Sequence, residues 1–258
     1  MDIQYTNKEL QAVSIARHIK NDQVIVVGTG LPLVGASLAK RTYAPHCCLM
    51  VESGLIDCKP REVPTSVADL RFMANSSVQW AMFRYVGFQS NTLRYEGIDL
   101  IAFIGGAQID PYGNLNSTSI GDYYNPKSRF SGSGGANGIA SFFNTIIMMQ
   151  HQKRRFIEKV DYITSPGWKD GKLTRADKGL PADKGPLAVV TELGIMKFDA
   201  DSKRMYVAEM FPGVTAEQIK DNTGFDIDTS RAVTSIIPEA EVLQVLRNEV
   251  DPKRRFIK

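Results

Sequence analysis

Gln23-Val24-Ile25-Val26-Val27-Gly28-Thr29-Gly30, then Leu31 to Thr42, then Cys48-Leu49-Met50-Val51-Glu52-Ser53-Gly54: the order of these three stretches decides the fold. Gln23 to Val27 is a β-branched run of strand length, and it stops at a glycine pair. Leu31 to Thr42 reads as a helix, and Cys48 to Val51 as a second short apolar strand. Two strands joined through a helix make a βαβ unit, and that crossover sets the strands parallel.

The flanking sequence extends this unit in both directions. Upstream, Thr6-Asn7-Lys8-Glu9 has capping-box spacing, and Leu10, Val13, Ala16 and Ile19 recur at helical intervals, so a helix is expected to run to about Lys20. Downstream, Ser66 with Asp69 opens a second candidate helix through Met73, and Leu100 to Ile104 is a buried-strand run ending at Gly105-Gly106. A stretch rich in glycine, asparagine and serine follows to Gly138, and Asn144 to Met149 resumes a strand. Lys169 to Gly185 is charged and reads as a surface excursion. Leu187 to Thr191, Ile195 to Phe198 and Lys203 to Glu209 are strands separated by turns, which makes that part of the sheet antiparallel. Thr215 to Gln218 and Pro238 to Asn248 open two closing helices. The expected class is α/β: an open, mostly parallel sheet flanked by helices, with some antiparallel strands in the C-terminal part, and a single domain over residues 1–258.

Composition narrows the partners. Of 258 residues 43% are hydrophobic, enough for a large core, and the net charge of +3 selects neither nucleic acid nor an anionic membrane. No apolar run approaches the roughly 20 residues that span a bilayer. The polar opening Met1 to Tyr5 predicts no signal peptide, and Cys47, Cys48 and Cys58 have no metal-ligand spacing, so a reduced, cytoplasmic setting is expected. His18, His46 and His151 are isolated from one another, so no metal is assigned. Lys153-Arg154-Arg155 and Lys253-Arg254-Arg255 read first as solvated faces, with phosphate contact as the alternative for the former.

Three patches carry chemistry. Glu52 stands where a parallel strand ends, the edge at which open α/β sheets bind ligands; the plain alternative is a strand-end glutamate that meets solvent or caps a turn. Gly132-Ser133-Gly134-Gly135-Ala136-Asn137-Gly138 precedes a helix, and small residues there let backbone N–H groups face an anion or oxyanion. Gly105-Gly106-Ala107-Gln108-Ile109-Asp110 with Gly113 to Asn116 repeats this character after another strand. A rival reading takes Gly28-Thr29-Gly30 as the start of a dinucleotide fingerprint with Glu52 as the ribose acid, but that fingerprint needs glycine at Leu33.

Together, Gly28-Thr29-Gly30-Leu31-Pro32, Val51-Glu52-Ser53-Gly54, Phe103 to Asn116 and Gly132 to Gly138 resemble the motifs of class I CoA-transferase β subunits, the glutaconate type most closely. The resemblance runs from Tyr5 to the C-terminus, through Met148 to His151 and Ser165-Pro166-Gly167-Trp168. It implies Glu52 as the nucleophile and N–H groups around Gly135 and Ala136 as oxyanion donors. It implies that Gly28, Gly30, Ser53, Gly105, Gly106, Gln108, Asn116 and Gly134 line the substrate. It further implies an α-subunit partner in a hetero-oligomer, an acyl-CoA and a carboxylic acid such as glutaconate as substrates, and no permanently bound cofactor, the coenzyme A thioester being itself a substrate. Relatives that replace the glutamate decarboxylate acyl-CoA instead. Hydrolysis, decarboxylation, nicotinamide-dependent oxidoreduction and a non-catalytic regulatory or assembly role remain as alternatives.

Overall fold

The computed structural model describes residues 4–66, 68–73, 75–81, 98, 100–171 and 175–257. The expectations for Met1 to Tyr5, Ser66 to Met73 and Lys169 to Gly185 fall partly outside this set. Contacts divide the chain into two compact units, Met1–Phe103 with Ile236–Lys258, and Ile104–Ser235.

The first unit holds the βαβ element. Helix α1 (Asn7–Arg17) opens with the expected capping box: Glu9 N–H donates to the Thr6 hydroxyl at 3.2 Å, and Thr6 N–H donates to the Glu9 carboxylate at 2.8 Å. It stops at Arg17, with His18 as its C-cap, rather than reaching Lys20. Strand β1 (Val24–Val26), helix α2 (Leu31–Ala39), β2 (Cys48–Val51), β3 (Leu55–Ile56), β4 (Val78–Gln79) and β5 (Leu100–Ile104) follow. Their order in the sheet is β5-β1-β2-β3-β4. β1 runs parallel to both neighbours, with Val24 opposite Cys48 on one side and Leu100 on the other. β3 and β4 return antiparallel, an arrangement the sequence did not predict because two-residue strands carry no period to read.

α2 lies on α1 at close range. A Cβ at Gly35 would run into the Ile15 side chain and lie 3.1 Å from the Ala12 carbonyl, so glycine is what lets the two helices meet. The candidate helix at Ser66 shrinks to one 3₁₀ turn, Leu70–Phe72, capped by the Asp69 carboxylate, which accepts from Arg71 N–H at 3.0 Å. The chain soon reverses at Asn75, whose φ is 62°. The closing helix Ala240–Val245 continues as a π-helical turn, Leu246–Val250. From that turn Arg247 reaches Glu9 at 2.6 and 2.9 Å.

The second unit carries two small hairpins, β6 (Gln108–Ile109) with β7 (Leu115–Asn116) and β8 (Ser119–Ile120) with β9 (Ser128–Arg129). Helix α3 (Ala136–Phe142), β10 (Asn144–Met148), β11 (Pro186–Val190), β12 (Gly194–Phe198), β13 (Met205–Met210), helix α4 (Ala216–Asp221) and β14 (Val233–Thr234) complete it. β10 and β11 are parallel, β11-β12-β13 form the expected antiparallel meander, and β14 joins β13 in parallel. The predicted class, α/β with parallel strands at the helical crossovers and antiparallel strands towards the C-terminus, is the one observed. Among the described residues no helix is long and apolar enough to cross a membrane.

In the same unit His151 is packed as a neutral core residue. Its ring stacks on Phe156 at 4.1 Å, with Nε2 2.9 Å from Thr223 Oγ1 and Nδ1 3.2 Å from Thr191 Oγ1. The Thr223 hydroxyl also donates to the Ile219 carbonyl at 2.7 Å, and the Thr191 hydroxyl to the Gly194 carbonyl at 3.3 Å. Burial pushes the His151 pKa down to about 4. The unfolded chain therefore binds a proton at this site at higher pH than the folded one does, and folding stability is lost as pH falls from about 6.5 towards 4. The difference in unfolding free energy between wild type and His151→Gln, measured by urea titration, is expected to shrink steadily through that window; a difference independent of pH would show that the imidazole is not held neutral.

Candidate active site

Glu52 occupies a tight turn that the strands on either side enforce. Val51 pairs with Leu55, so only Glu52-Ser53-Gly54 separates β2 from β3. Gly54 N–H donates to the Val51 carbonyl at 2.9 Å, and Gly54 itself has φ +100°. This is the three-residue hairpin loop, a turn closed by a left-handed residue. A Cβ at Gly54 would collide with the Trp80 carbonyl, while Trp80 N–H donates to the Gly54 carbonyl at 2.8 Å. The last place in the Glu-Ser-Gly triplet thus admits glycine alone, and the first is left exposed at the carboxyl end of β2.

Ser53 has the opposite environment. Its Oγ is shielded from solvent and meets no hydrogen-bond partner among the described residues, an unusual cost for a hydroxyl. Ser53 borders a surface cleft of about 320 Å³ walled by Leu55, Leu70, Met73 and Trp80, with Asp69 at its rim. Arg71 holds the Asp69 carboxyl well down, at about 2. One strand over, Val27 N–H donates to the Met50 carbonyl at 3.1 Å, so Gly28-Thr29-Gly30 leaves the sheet beside the Glu52 turn and caps α2. The first unit therefore brings Gly28, Gly30, Glu52 and Ser53 to one carboxyl edge. Leu33 is buried in α2, where the dinucleotide fingerprint requires glycine.

In the second unit Gly105 and Gly106 follow β5 directly. Ala107 N–H donates to the Asn116 carbonyl at 2.7 Å. The Asn116 amide donates to Gln108 Oε1 at 2.6 Å and to the Ser119 carbonyl at 2.7 Å, and its Oδ1 accepts from Thr118 N–H at 2.9 Å. Gln108 in turn donates to Asp161 at 2.9 Å. Both amides are buried and committed to the loop's own hydrogen bonds. Close by in sequence, Asp110 accepts from Asn114 Nδ2 at 2.7 Å and from the N–H groups of Tyr112 and Asn114, and burial still raises its pKa to about 6.

The Gly132 to Gly138 run leads into α3, with Gly135 as its cap. Ala136 N–H donates to the Ser133 carbonyl at 3.0 Å, whereas Gly135 N–H meets no acceptor among the described residues. Of the two expected oxyanion donors, one is engaged and one is open. Asn137 fixes the head of α3, donating to the Thr164 carbonyl at 2.6 Å.

The sequence missed two participants. Trp80 braces the Glu52 turn through its backbone, for which no side-chain pattern exists. Arg175 lies in the stretch read as a surface excursion, yet it is 2% exposed, and burial moves its guanidinium down to about 10, leaving it charged at neutral pH. Burial raises all three thiols, Cys47 to about 11 and Cys58 to about 12, which disfavours the reactive thiolate. Lys153 and Arg154 face solvent, and Arg155 leans towards the Gly106 carbonyl at 3.5 Å. Among the described residues no cluster of histidine, cysteine, aspartate or glutamate has the makings of a metal site.

Residues 8–222 match the family model for coenzyme A transferase. The chain belongs to the coenzyme A transferase family. It is 61% identical over 253 residues to the β subunit of glutaconate CoA-transferase of Acidaminococcus fermentans, covering 98% of this chain and 95% of that one. It is 40% identical to the β subunit of 3-oxoadipate CoA-transferase of Pseudomonas knackmussii, covering 94% and 92% respectively. The crystal structure of glutaconate coenzyme A-transferase from Acidaminococcus fermentans superposes with a TM-score of 0.95 at 60% identity, covering 99% of this chain and 98% of that one.

Within this coenzyme A transferase the Glu52 turn has a steric test. Gly54→Ala places a side chain at a left-handed φ and against a backbone carbonyl, and is expected to cost about 2 kcal/mol or more. Gly28→Ala, where nothing lies within 4 Å of the new methyl, is expected to cost little. Denaturant midpoints for the two variants compare them directly; equal values would mean that the turn is not constrained by Trp80.

Proposed function

We propose that this chain is the β subunit of a two-subunit CoA-transferase that moves CoA between an acyl-CoA and a carboxylic acid, a dicarboxylate of the glutaconate kind, through a thioester on Glu52. The observation that carries it is the exposed Glu52, held at the tip of a three-residue turn that glycine closes at Gly54, in a chain that matches the coenzyme A transferase family and whose Val51-Glu52-Ser53-Gly54 resembles the nucleophile motif of class I β subunits.

The chemistry follows from that carboxylate. A Glu52 oxygen attacks the thioester carbonyl, and the carbon–sulfur bond breaks to give a mixed anhydride and CoA thiolate. The thiolate attacks the glutamyl carbonyl, releasing the first acid with the former Glu52 oxygen and leaving CoA on the enzyme. The acceptor acid then reverses both steps: its carboxylate opens the enzyme thioester, and the thiolate returns to the acyl carbonyl. No net proton or redox change is required, so no resident cofactor is needed. Each tetrahedral intermediate carries an oxyanion, and the resemblance to class I β subunits implies backbone N–H groups around Gly135 and Ala136 as its donors. Gly28, Gly30 and Ser53 line the substrate beside Glu52, and Gly105, Gly106 and Gly134 give close backbone approach. Gln108 and Asn116 act by shaping their loop.

Residues 1–258 act as one β-subunit module whose α partner supplies the remaining recognition of the acid. Three free thiols, two of them fully buried, suit the cytoplasm. Glu52→Gln keeps the shape of the side chain and removes the nucleophile. Co-expressed with its α partner, the variant is expected to assemble normally and to lose about 10³-fold or more in transferase turnover. In wild type, mass spectrometry after acyl-CoA and borohydride should find the reduced residue at Glu52. Near-normal turnover in the glutamine variant, or a label elsewhere, would make Glu52 structural.

A further inference from the structure

At Asp69 the cleft that Ser53 borders changes from apolar to charged. Its walls are largely apolar, and Leu70, 75% exposed, stands open to solvent there. Asp69 at the rim accepts from Arg71 Nε at 3.0 Å, and the same guanidinium donates through Nη1 to Glu62 at 2.6 Å. Glu62 in turn meets Lys253 Nζ at 3.0 Å and Arg255 Nη1 at 3.7 Å. Three cations thus share one carboxylate. Glu62 also borders a second cleft, of about 470 Å³, together with Arg41 and Arg61. Arg41 has only a loose pair there, with Glu249 at 3.9 Å, and Arg61 makes no ion pair among the described residues. All of these residues belong to the first unit.

Arg71 therefore joins an apolar slot to a cationic one. Arg41, Arg61, Arg71, Lys253 and Arg255 stand against the carboxylates of Glu62, Asp69 and Glu249, and the surplus is positive. Exposed pairs of this kind add little to stability, but a local surplus of one sign attracts anions. A coenzyme A thioester has the complementary order: from its reacting carbonyl runs a long uncharged pantetheine arm, and then come the diphosphate and the 3′-phosphate. The acid half of the same thioester does not fit. A short dicarboxylate would lose water from its distal carboxylate against Leu55, Leu70 and Met73, and would meet Asp69. Ser53 opens the slot, next in the chain to the carboxylate that takes the thioester. Its unpaired hydroxyl gives up no hydrogen bond by turning towards an amide of the arm.

We propose that the first unit holds the CoA half of the substrate: the cleft bordered by Ser53, Leu70 and Trp80 takes the pantetheine arm, and Arg61, Lys253 and Arg255 bind the phosphates, with Arg71 fixed between the two. This assignment rests on the CoA-transferase function proposed above. Arg71 is held by short bonds to two carboxylates and serves as the divider. Lys253 and Arg255, which sequence alone places on a solvated face, have longer contacts to Glu62 and are the cations that a phosphate can draw away.

The test uses the assembled two-subunit enzyme and two donors, glutaconyl-CoA and the glutaconyl thioester of pantetheine, which lacks the phosphates. The double variant Lys253→Gln, Arg255→Gln removes two phosphate partners whose side chains are 59% and 39% exposed. Its kcat/KM for glutaconyl-CoA is expected to fall by about tenfold at low salt, the gap to wild type narrowing as salt is added, while kcat/KM for the pantetheine thioester stays unchanged. Leu70→Asp puts a charge into the cleft and is expected to lower kcat/KM by about tenfold for both donors. If the double variant does not assemble, Lys253→Gln alone is read in the same way. No loss with glutaconyl-CoA, or an equal loss with both donors, overturns the phosphate site. A Leu70→Asp enzyme that handles both donors as wild type does overturns the placement of the arm, and so does one that no longer binds the α subunit, since the cleft is then a subunit contact. The two assignments fail differently: if wild type carries its thioester on Glu52 and the variants do not discriminate between donors, the CoA subsite alone is wrong, whereas a wild type with no thioester on Glu52 refutes the transferase mechanism.

Discussion

The hydrogen bond from Gly54 N–H to the Val51 carbonyl is where sequence, fold and chemistry meet. It closes the chain over Glu52 and Ser53 immediately after β2, before the side chain of Glu52 has any route back into the core. Trp80 makes the closure irreversible in a steric sense, since its carbonyl occupies the space of any Cβ at Gly54. Upstream elements serve the same end: β1 places β2 in the sheet, and Gly35 lets α2 settle against α1. A nucleophile on a long side chain still needs a rigid base, and a three-residue loop between paired strands supplies one with no hydrogen bond or ion pair to the carboxylate among the described residues.

The second unit reaches rigidity by another route. Its loops are rich in glycine, asparagine and serine, which carry little hydrophobic area, so buried polar pairs take over. Gln108 with Asn116, Asp110 with Asn114, Asn137 with Thr164 and Arg175 with five carbonyls tie the loops together, some across segments far apart in sequence. Each leaves few polar atoms unpaired, the condition under which such networks specify one arrangement instead of weakening the core. Two buried groups of this unit carry opposed pH responses. Asp110, raised by burial, binds its proton more readily when folded, whereas His151 binds its proton less readily. Their effects on stability therefore oppose each other between about pH 4 and 6, and flatten its dependence on acidity.

What could be read from the sequence follows from how local each signal is. The capping boxes at Thr6 and Thr215, the βαβ unit around Gly28 and the meander after Leu187 involve neighbours in sequence, and all appear where expected. The carboxyl-edge position of Glu52 followed from strand and glycine alone. The return strands β3 and β4 did not, because their partners are set by a turn and not by a hydrophobic pattern. The Ser66 to Met73 stretch falls short of a helix for a related reason: a good cap at Asp69 precedes too short a run. Gln108 and Asn116, which the resemblance places along the substrate, pair their amides with each other across a hairpin, and no local sequence signal announces that pairing. Arg175 gave no signal, since a lone arginine among lysines and aspartates reads as solvated until tertiary structure buries it.

The central claim is that oxygen, as well as CoA, passes through Glu52, and an isotope measures this most directly. The assembled enzyme turns over an acyl-CoA with an acceptor dicarboxylate labelled with heavy oxygen in both carboxyl groups, in ordinary water, and the peptide containing Glu52 is then weighed. Anhydride chemistry predicts that acceptor oxygen appears in the Glu52 carboxylate and nowhere else in the chain. A Glu52 peptide of unchanged mass after many turnovers would contradict it, and would mean that the acid and the enzyme carboxylate never share a bond.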